Sequence, residues 1–159
     1  MYLLGVPGVG PVRAIAEQEH DRVQIHRLRG AGRGERQSGA LVLAVSCQRP
    51  ASADAFRYRK IARIKPKGGS VITLAAHLPS SGGRISGARI ALGSMAATQI
   101  RARTAERALE GRALDDAAIS AAAAAATEGV SPADNALGSA WYRREIVGVH
   151  LRRLLSGLE

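Results

Sequence analysis

Aromatic side chains are scarce in this chain: one phenylalanine, one tryptophan and three tyrosines make up 3% of its 159 residues. Since 46% of the residues are nevertheless hydrophobic and alanine is the commonest of them, the expected core packs small side chains, mainly in helices. Cysteine is nearly absent. Cys47 alone permits no intramolecular disulfide and no zinc or iron–sulfur site built from several cysteines, and it fits a reducing compartment. Long apolar runs are missing too, because the alanine tract near Ala121 falls well short of the roughly 20 residues of a spanning helix and is flanked by acids. At the amino terminus Gly5, Pro7, Gly8, Gly10 and Pro11 interrupt the apolar residues, and no basic stretch precedes them, so a signal peptide is not expected. The expected protein is soluble, cytoplasmic and free of the membrane.

Acidic residues are outnumbered, 13 against 23 lysines and arginines, for a formal net charge of +10. Such an excess suits nucleic acid, anionic lipid or an acidic protein. The basic residues are spread from Arg13 to Arg153 without a recognisable reading module, which disfavours nucleic acid. The length accommodates one ordinary domain with a single core.

Residues 1–38 mix glycine, arginine and glutamine without a period of 2 or 3.6 and read as a poorly structured arm. Residues 39–55 read as a linker with one short apolar strand, ALVLAV, ended by Gln48, Arg49 and Pro50. From residue 56 onward the texture is that of a folded domain. FRYRKIARIKPK at 56–67 puts Phe56, Tyr58, Lys60, Ala62 and Ile64 on one side and Arg57, Arg59, Ile61, Arg63 and Lys65 on the other. A charged side of this kind is most simply a solvated edge that blocks aggregation. SVITLAAHL at 70–78 and RISGARIALG at 84–93 supply two more strands, and the short connections between the three favour an antiparallel meander.

After Gly93 the period becomes helical. Ile100, Thr104, Ala108 and Leu109 share a face and Gly111 stands as a carboxy-terminal cap, which predicts a helix near 100–109. Asp115 and Asp116 start a second over 117–127, complementing the helix dipole, and Gly129 ends it. Ser139 caps a third over 140–155, where Val147, Leu151, Leu154 and Leu155 recur at helical spacing. The expected fold is α+β: a three-stranded antiparallel sheet followed by three helices packed on one face.

The residues show no catalytic constellation. Serines and four histidines occur without a GxSxG frame or metal-ligand spacing, so no catalytic or metal site is assigned. Gly68-Gly69 and Gly82-Gly83 match neither phosphate-loop pattern and read as hairpin turns.

Three stretches in order carry a resemblance. RIALGSMAATQIRARTAERALEG at 89–111, SAWYRREIVGVHLRRLL at 139–155 and FRYRKIARIKPKGGSVITLAAHL at 56–78 resemble the carboxy-terminal domain of the FAD-binding medium subunit of carbon monoxide dehydrogenase-like and xanthine dehydrogenase-like molybdenum hydroxylases. GALVLAVSCQRPASADAF at 39–56 is similar to the segment joining that domain to the family's flavin-binding part. Ile64 and the following KPKGGS depart from the family's basic residue and Asp-x-Ala step, and Trp141 stands where an acid is common. Residues 1–38 do not resemble the glycine-rich loops that hold the FAD pyrophosphate.

The resemblance implies a supporting role in electron transfer, from iron–sulfur clusters through FAD to an acceptor. It implies FAD in the complete subunit, held weakly or not at all by this chain alone. The implied partners are the large molybdenum-cofactor subunit, the small iron–sulfur subunit and the flavin-binding part of the medium subunit. It places Arg59 and Lys60, and more weakly Val42, beside the flavin. The reading of the residues alone leaves open a small basic nucleic-acid-binding module or a structural fragment without activity.

Overall fold

Alternation in FRYRKIA does produce a strand. In a computed structural model, which describes residues 24–27, 42–46, 52–64 and 68–158, the chain divides into a unit Met1–Arg49 and a unit Pro50–Glu159. In the first unit β1 (Gln24–Arg27) pairs antiparallel with β2 (Val42–Ser46), with an irregular register between His26 and Arg27. β1 lies within the stretch read as an arm, and the rest of residues 1–38 falls outside the described residues.

The second unit is built on a four-stranded antiparallel sheet of order β3-β4-β7-β8. β3 is Phe56–Ala62, β4 Ser70–His77, β7 Arg89–Gly93 and β8 Ile100–Arg101. The expected third strand is divided. Gly87, with φ of 79°, turns the chain through a region that side-chain-bearing residues avoid. The strand's first part, β6 (Arg84–Ile85), therefore pairs with β5 (Ser80–Ser81) in a side hairpin, and only β7 joins β4. The turn of that hairpin is Gly82-Gly83, both at positive φ, as the sequence suggests.

The sheet also has a fourth strand where a helix was expected to begin. Ile100 pairs with Leu92 in β8, and the Ala102 N–H donates to Ile90 O at 2.9 Å. Helix α1 therefore starts at Arg103 and runs to Leu109. The extended chain at Arg101 lets its guanidinium grip Glu106 through Nε at 2.9 Å and NH2 at 2.8 Å, while Glu106 accepts the Ile90 N–H at 2.8 Å. Satisfying those groups together favours extension over one more helical turn.

Helix α2 (Asp116–Ala124) is capped by Asp115, whose carboxylate accepts the Ala118 N–H at 2.7 Å, and it continues as a 3-10 turn over Ala125–Thr127. Helix α3 (Ala140–Ser156) begins at Ser139, whose hydroxyl accepts the Tyr142 N–H at 3.1 Å. It ends at Gly157 with φ of 72°, where the Leu158 N–H reaches Arg153 O and the Gly157 N–H reaches Leu154 O. This pair of bonds satisfies helix-end carbonyls by left-handed termination.

The helices gather on one face of the sheet. α3 packs on β3 and β4, α1 on β7, and α2 on both other helices. At Gly148 an added Cβ would lie 2.8 Å from the Ala123 carbonyl oxygen, so α2 and α3 approach more closely than a side chain there would allow. The core is aliphatic: Ile72, Leu74, Ile90, Leu92, Leu109 and Leu151 are its large members, with alanines such as Ala105, Ala118 and Ala122 between them. The four aromatic residues within the described part, Phe56, Tyr58, Trp141 and Tyr142, all stand outside it, at 48%, 59%, 69% and 44% exposure.

Candidate functional site

Strand β3 is a sheet edge, and its two sides differ in kind. Antiparallel register sets Arg57 opposite Ala76, Arg59 opposite Leu74 and Ile61 opposite Ile72. Because facing residues share a side, this is the side that meets the helices. Phe56, Tyr58 and Lys60, opposite His77, Ala75 and Thr73, take the other side.

The arginines serve the end of α3. Arg57 donates through NH1 to Leu154 O at 3.2 Å and also to Leu155 O, and Arg59 donates through NH2 to Leu158 O. Carbonyls in a last helical turn lack intrahelical donors and carry the negative end of the dipole, so the Arg57 guanidinium at Leu155 O meets both deficits, while Arg59 holds the chain just beyond the left-handed Gly157. The basic side of β3 is thus a capping device for α3 as well as a charged edge.

Arg59 and Lys60, which the family resemblance sets beside the flavin, lie on opposite sides of the strand, as consecutive residues must. Arg59 is half-buried against α3, and Lys60 is exposed on the side away from the helices. Val42 opens β2 opposite Arg27 and belongs to the other unit.

Two charged residues that sequence reasoning passed over, Glu106 and Arg143, are the buried ones among the described residues. Glu106, 7% exposed, holds Arg101 and the Ile90 N–H. Arg143, 1% exposed, donates through Nε to Val71 O at 2.9 Å, through NH2 to Asn135 Oδ1 at 2.6 Å and through NH1 to Ala133 O. It therefore ties the loop before α3 to the sheet. A signal was present: Arg143, Val147 and Leu151 recur at i, i+4 and i+8, so an arginine occupies a core position of its helix.

His150, on α3, has a buried Nδ1 without a hydrogen-bond partner. Burial first, then the nearby Arg153 and Arg59 charges, pull its pKa below the ordinary value of 6.5. Among the described residues no group of His, Cys, Asp and Glu is arranged to hold a metal ion. No helix among them is long and apolar enough to cross a membrane.

A cleft of about 450 Å3 opens where β3 ends, lined by Ile61, Ala62 and Val71 from the sheet, Arg63 just after β3, and Ser139 and Tyr142 from the start of α3. Arg63 donates to Ala136 O at its rim, at 3.4 Å. Dinucleotide phosphates are usually held by backbone N–H groups of glycine-rich turns that lead into helices. Among the described residues the positive-φ glycines stand elsewhere: Gly82, Gly83 and Gly87 around the hairpin, and Gly111, Gly129 and Gly157 after helices.

Comparison with known proteins decides the lineage. Residues 57–158 match the family described as CO dehydrogenase flavoprotein C-terminal domain. The chain belongs to that family. Among solved structures it is similar to carbon monoxide dehydrogenase from Hydrogenophaga pseudoflava, in a form lacking the Mo-pyranopterin moiety of the molybdenum cofactor. The identity is 34% and the TM-score 0.63, over 74% of this chain and 40% of that one. Carbon monoxide dehydrogenase from Oligotropha carboxidovorans, in reconstituted form, is 35% identical with a TM-score of 0.58, over 64% of this chain and 35% of that one. Quinoline 2-oxidoreductase from Pseudomonas putida 86 is 28% identical with a TM-score of 0.68, over 77% and 42%. No curated protein matches the chain. The chain spans about two fifths of the length of these solved chains. It carries the carboxy-terminal domain of the FAD subunit of molybdenum hydroxylases.

Proposed function

We propose that this chain works as an accessory domain of a molybdenum hydroxylase flavin subunit, supporting electron transfer from iron–sulfur clusters through FAD to an acceptor in the cytoplasm. The observation that carries the reading is the family match over residues 57–158 on an α+β domain of the matching architecture. The chemistry of the relay is the flavin's when it is bound, and the protein's part is binding, orientation and electrostatics. Lys60, exposed beside Tyr58, is the residue suited to offer positive charge to an anionic flavin. Arg59 supports the same strand from behind by holding the end of α3, and Val42 is the weaker third member. A large molybdenum-cofactor subunit, a small iron–sulfur subunit and a flavin-binding part of the medium subunit are the partners.

Alone, the chain should bind FAD weakly or not at all. Exposed charge pairs contribute about 0–1 kcal/mol each, against roughly 8 kcal/mol for micromolar affinity. Flavin fluorescence during titration of the purified chain should show no saturation at micromolar FAD. Saturable binding lost in the Arg59→Ala, Lys60→Ala double variant would place a sufficient cofactor site on this chain. Co-expression with the unmatched part of the Hydrogenophaga pseudoflava chain tests the role itself. Retention of yellow flavin by a copurifying complex is the expected result, and failure of the two to associate would overturn the accessory role.

A further inference from the structure

A strand at the margin of a sheet turns half of its main-chain groups away from its neighbour. β3 is such a strand: among the described residues none pairs with the side away from β4. Which groups it presents follows from one bond. The Leu78 N–H donates to Ala55 O at 2.7 Å, in the same register that sets Phe56 opposite His77. In an antiparallel pair, residues whose N–H and C=O both meet the neighbour alternate with residues whose groups both point away. Counting from Ala55, Arg57 and Arg59 bond to β4, so Phe56 and Tyr58 turn their main-chain groups outward. The register shifts only between Ile61 and Ala62, so no bulge interrupts this stretch. Proline, a simple block to strand addition, is absent from β3.

The charge along this edge has one sign. FRYRKIARIKPK at 56–67 holds six basic residues, and no carboxylate occurs between Asp54 and Glu106. Glu106 is taken by Arg101 of β8, the strand at the opposite edge of the sheet. Arg57, Arg59 and Arg63 donate to carbonyl groups, which leaves their charge in place, and among the described residues none of the three pairs with a carboxylate. Such an edge repels a second copy of itself, because like charges would face each other across the new pair. It attracts an acidic strand. The two rows of side chains sort the partner further: Arg57 and Arg59 lie on the helix side, and Phe56 and Tyr58, 48% and 59% exposed, on the other. An added strand sets alternate side chains level with each row, so acids suit the arginine row and aliphatic residues the ring row. Beyond Ile61, the cleft beside Arg63 and Tyr142 leaves room for that strand to continue.

We propose that the outer edge of β3 binds an extended acidic segment of another polypeptide by antiparallel strand addition. Main-chain bonds to Phe56 and Tyr58 supply the affinity, and the row of acids against arginines supplies the selectivity. The segment alternates acidic and aliphatic residues. The contact uses main-chain groups rather than the Lys60 side chain assigned to the flavin, so it goes beyond the flavin-subunit reading and does not depend on it.

The test uses the whole purified chain and a fluorescein-labelled octapeptide of alternating valine and glutamate, followed by anisotropy at low salt. Saturable binding that weakens as salt rises is expected, since exposed charges are screened. The matching peptide of valine and lysine should not bind. In the antiparallel pairing, valines opposite Phe56 and Tyr58 exchange bonds with them while the glutamate N–H groups point away. N-methylation of the valines should therefore abolish binding, and N-methylation of the glutamates should spare it. Tyr58→Pro, which removes an outward N–H and no bond to β4, should weaken binding about tenfold or more, whereas Tyr58→Ala keeps most of it. Arg63→Glu should weaken it by about 2- to 10-fold. Thermal unfolding shows whether each variant is folded. The proposal is overturned by absence of saturable binding at low salt, by equal binding of the lysine peptide, by equal damage from the two methylations, or by a folded Tyr58→Pro variant that binds like the parent chain. A dimer of the chain that Tyr58→Pro dissolves would also overturn it, assigning the edge to a second copy.

Discussion

The two faces of one strand-built sheet invert the usual rule for reading a strand. On the face covered by helices, β3 contributes Arg57, Arg59 and Ile61, while β4 and β7 contribute Ile72, Leu74, Ile90 and Leu92. On the uncovered face, β3 contributes Phe56, Tyr58 and Lys60. Hydrophobicity along β3 alone would send the aromatic side inward. The arginines go in instead because the end of α3 presents carbonyl groups that need donors, and their aliphatic stems can lie along the core while the guanidinium groups reach those oxygens. An edge strand can therefore be amphipathic in the opposite sense from its neighbours when a helix terminus sits against it.

Substitutions on the two faces should separate this inversion from ordinary packing. The largest effect belongs to Leu74, wholly buried on the helix face. Leu74→Ala should destabilise the domain by about 2–5 kcal/mol, read as a lower urea midpoint. Tyr58→Ala, in the adjoining row on the opposite face, should change stability by less than about 0.5 kcal/mol. Equal losses at the two sites would show that the aromatic face is packed after all.

Next in size is Arg57→Ala, which removes the donor to Leu154 O and Leu155 O. A cost of about 1–2 kcal/mol is expected from a charge-assisted bond at a helix end. Arg57→Lys should recover part of it, because an ammonium group restores the charge without the fork of donors. If Arg57→Ala unfolds at the same urea concentration as the parent chain, the capping role is wrong.

The smallest effect is a pH dependence on the helix side of the sheet. His150 has its folded-state pKa held below 6.5 by burial and by the Arg153 and Arg59 charges. The unfolded chain then takes up a proton more readily than the folded one, so stability should be level above about pH 6.5 and fall as pH drops below it. Melting curves between pH 7.5 and 5.5 should show this decline, and His150→Leu should flatten it. An equal decline in the variant would assign the dependence to other groups.

How much of this was legible differs from residue to residue. Ser139, Asp115 and the glycines at 111 and 129 were readable as helix boundaries because capping is local chemistry: a side-chain oxygen a few residues from its N–H, or a left-handed residue after the last turn. The division of the 84–93 stretch at Gly87 and the strand at Ile100 were not readable. The first depends on partners distant in sequence, Arg112 O and Gly111 N–H for Ile85, and the second on tertiary pairing of Ile100 with Leu92, which overrides the helical period that begins there. The ordered motifs carried the family, and the match at 57–158 agrees with them. Arg59 and Lys60 were grouped as one basic step because they are adjacent in sequence, whereas a strand turns such neighbours to opposite faces.

By itself, the sequence determined the lineage, the α+β order of elements and the aliphatic character of the core, since motif order, periodicity and composition are properties of the chain. Tertiary structure alone decided that β3 turns its arginines toward the helices and its rings away. It also decided that Arg143 is buried among carbonyl oxygens from Val71 and Ala133. Alternation tells which residues share a side but not what that side will meet, and here the answer came from the end of a helix almost a hundred residues further along the chain.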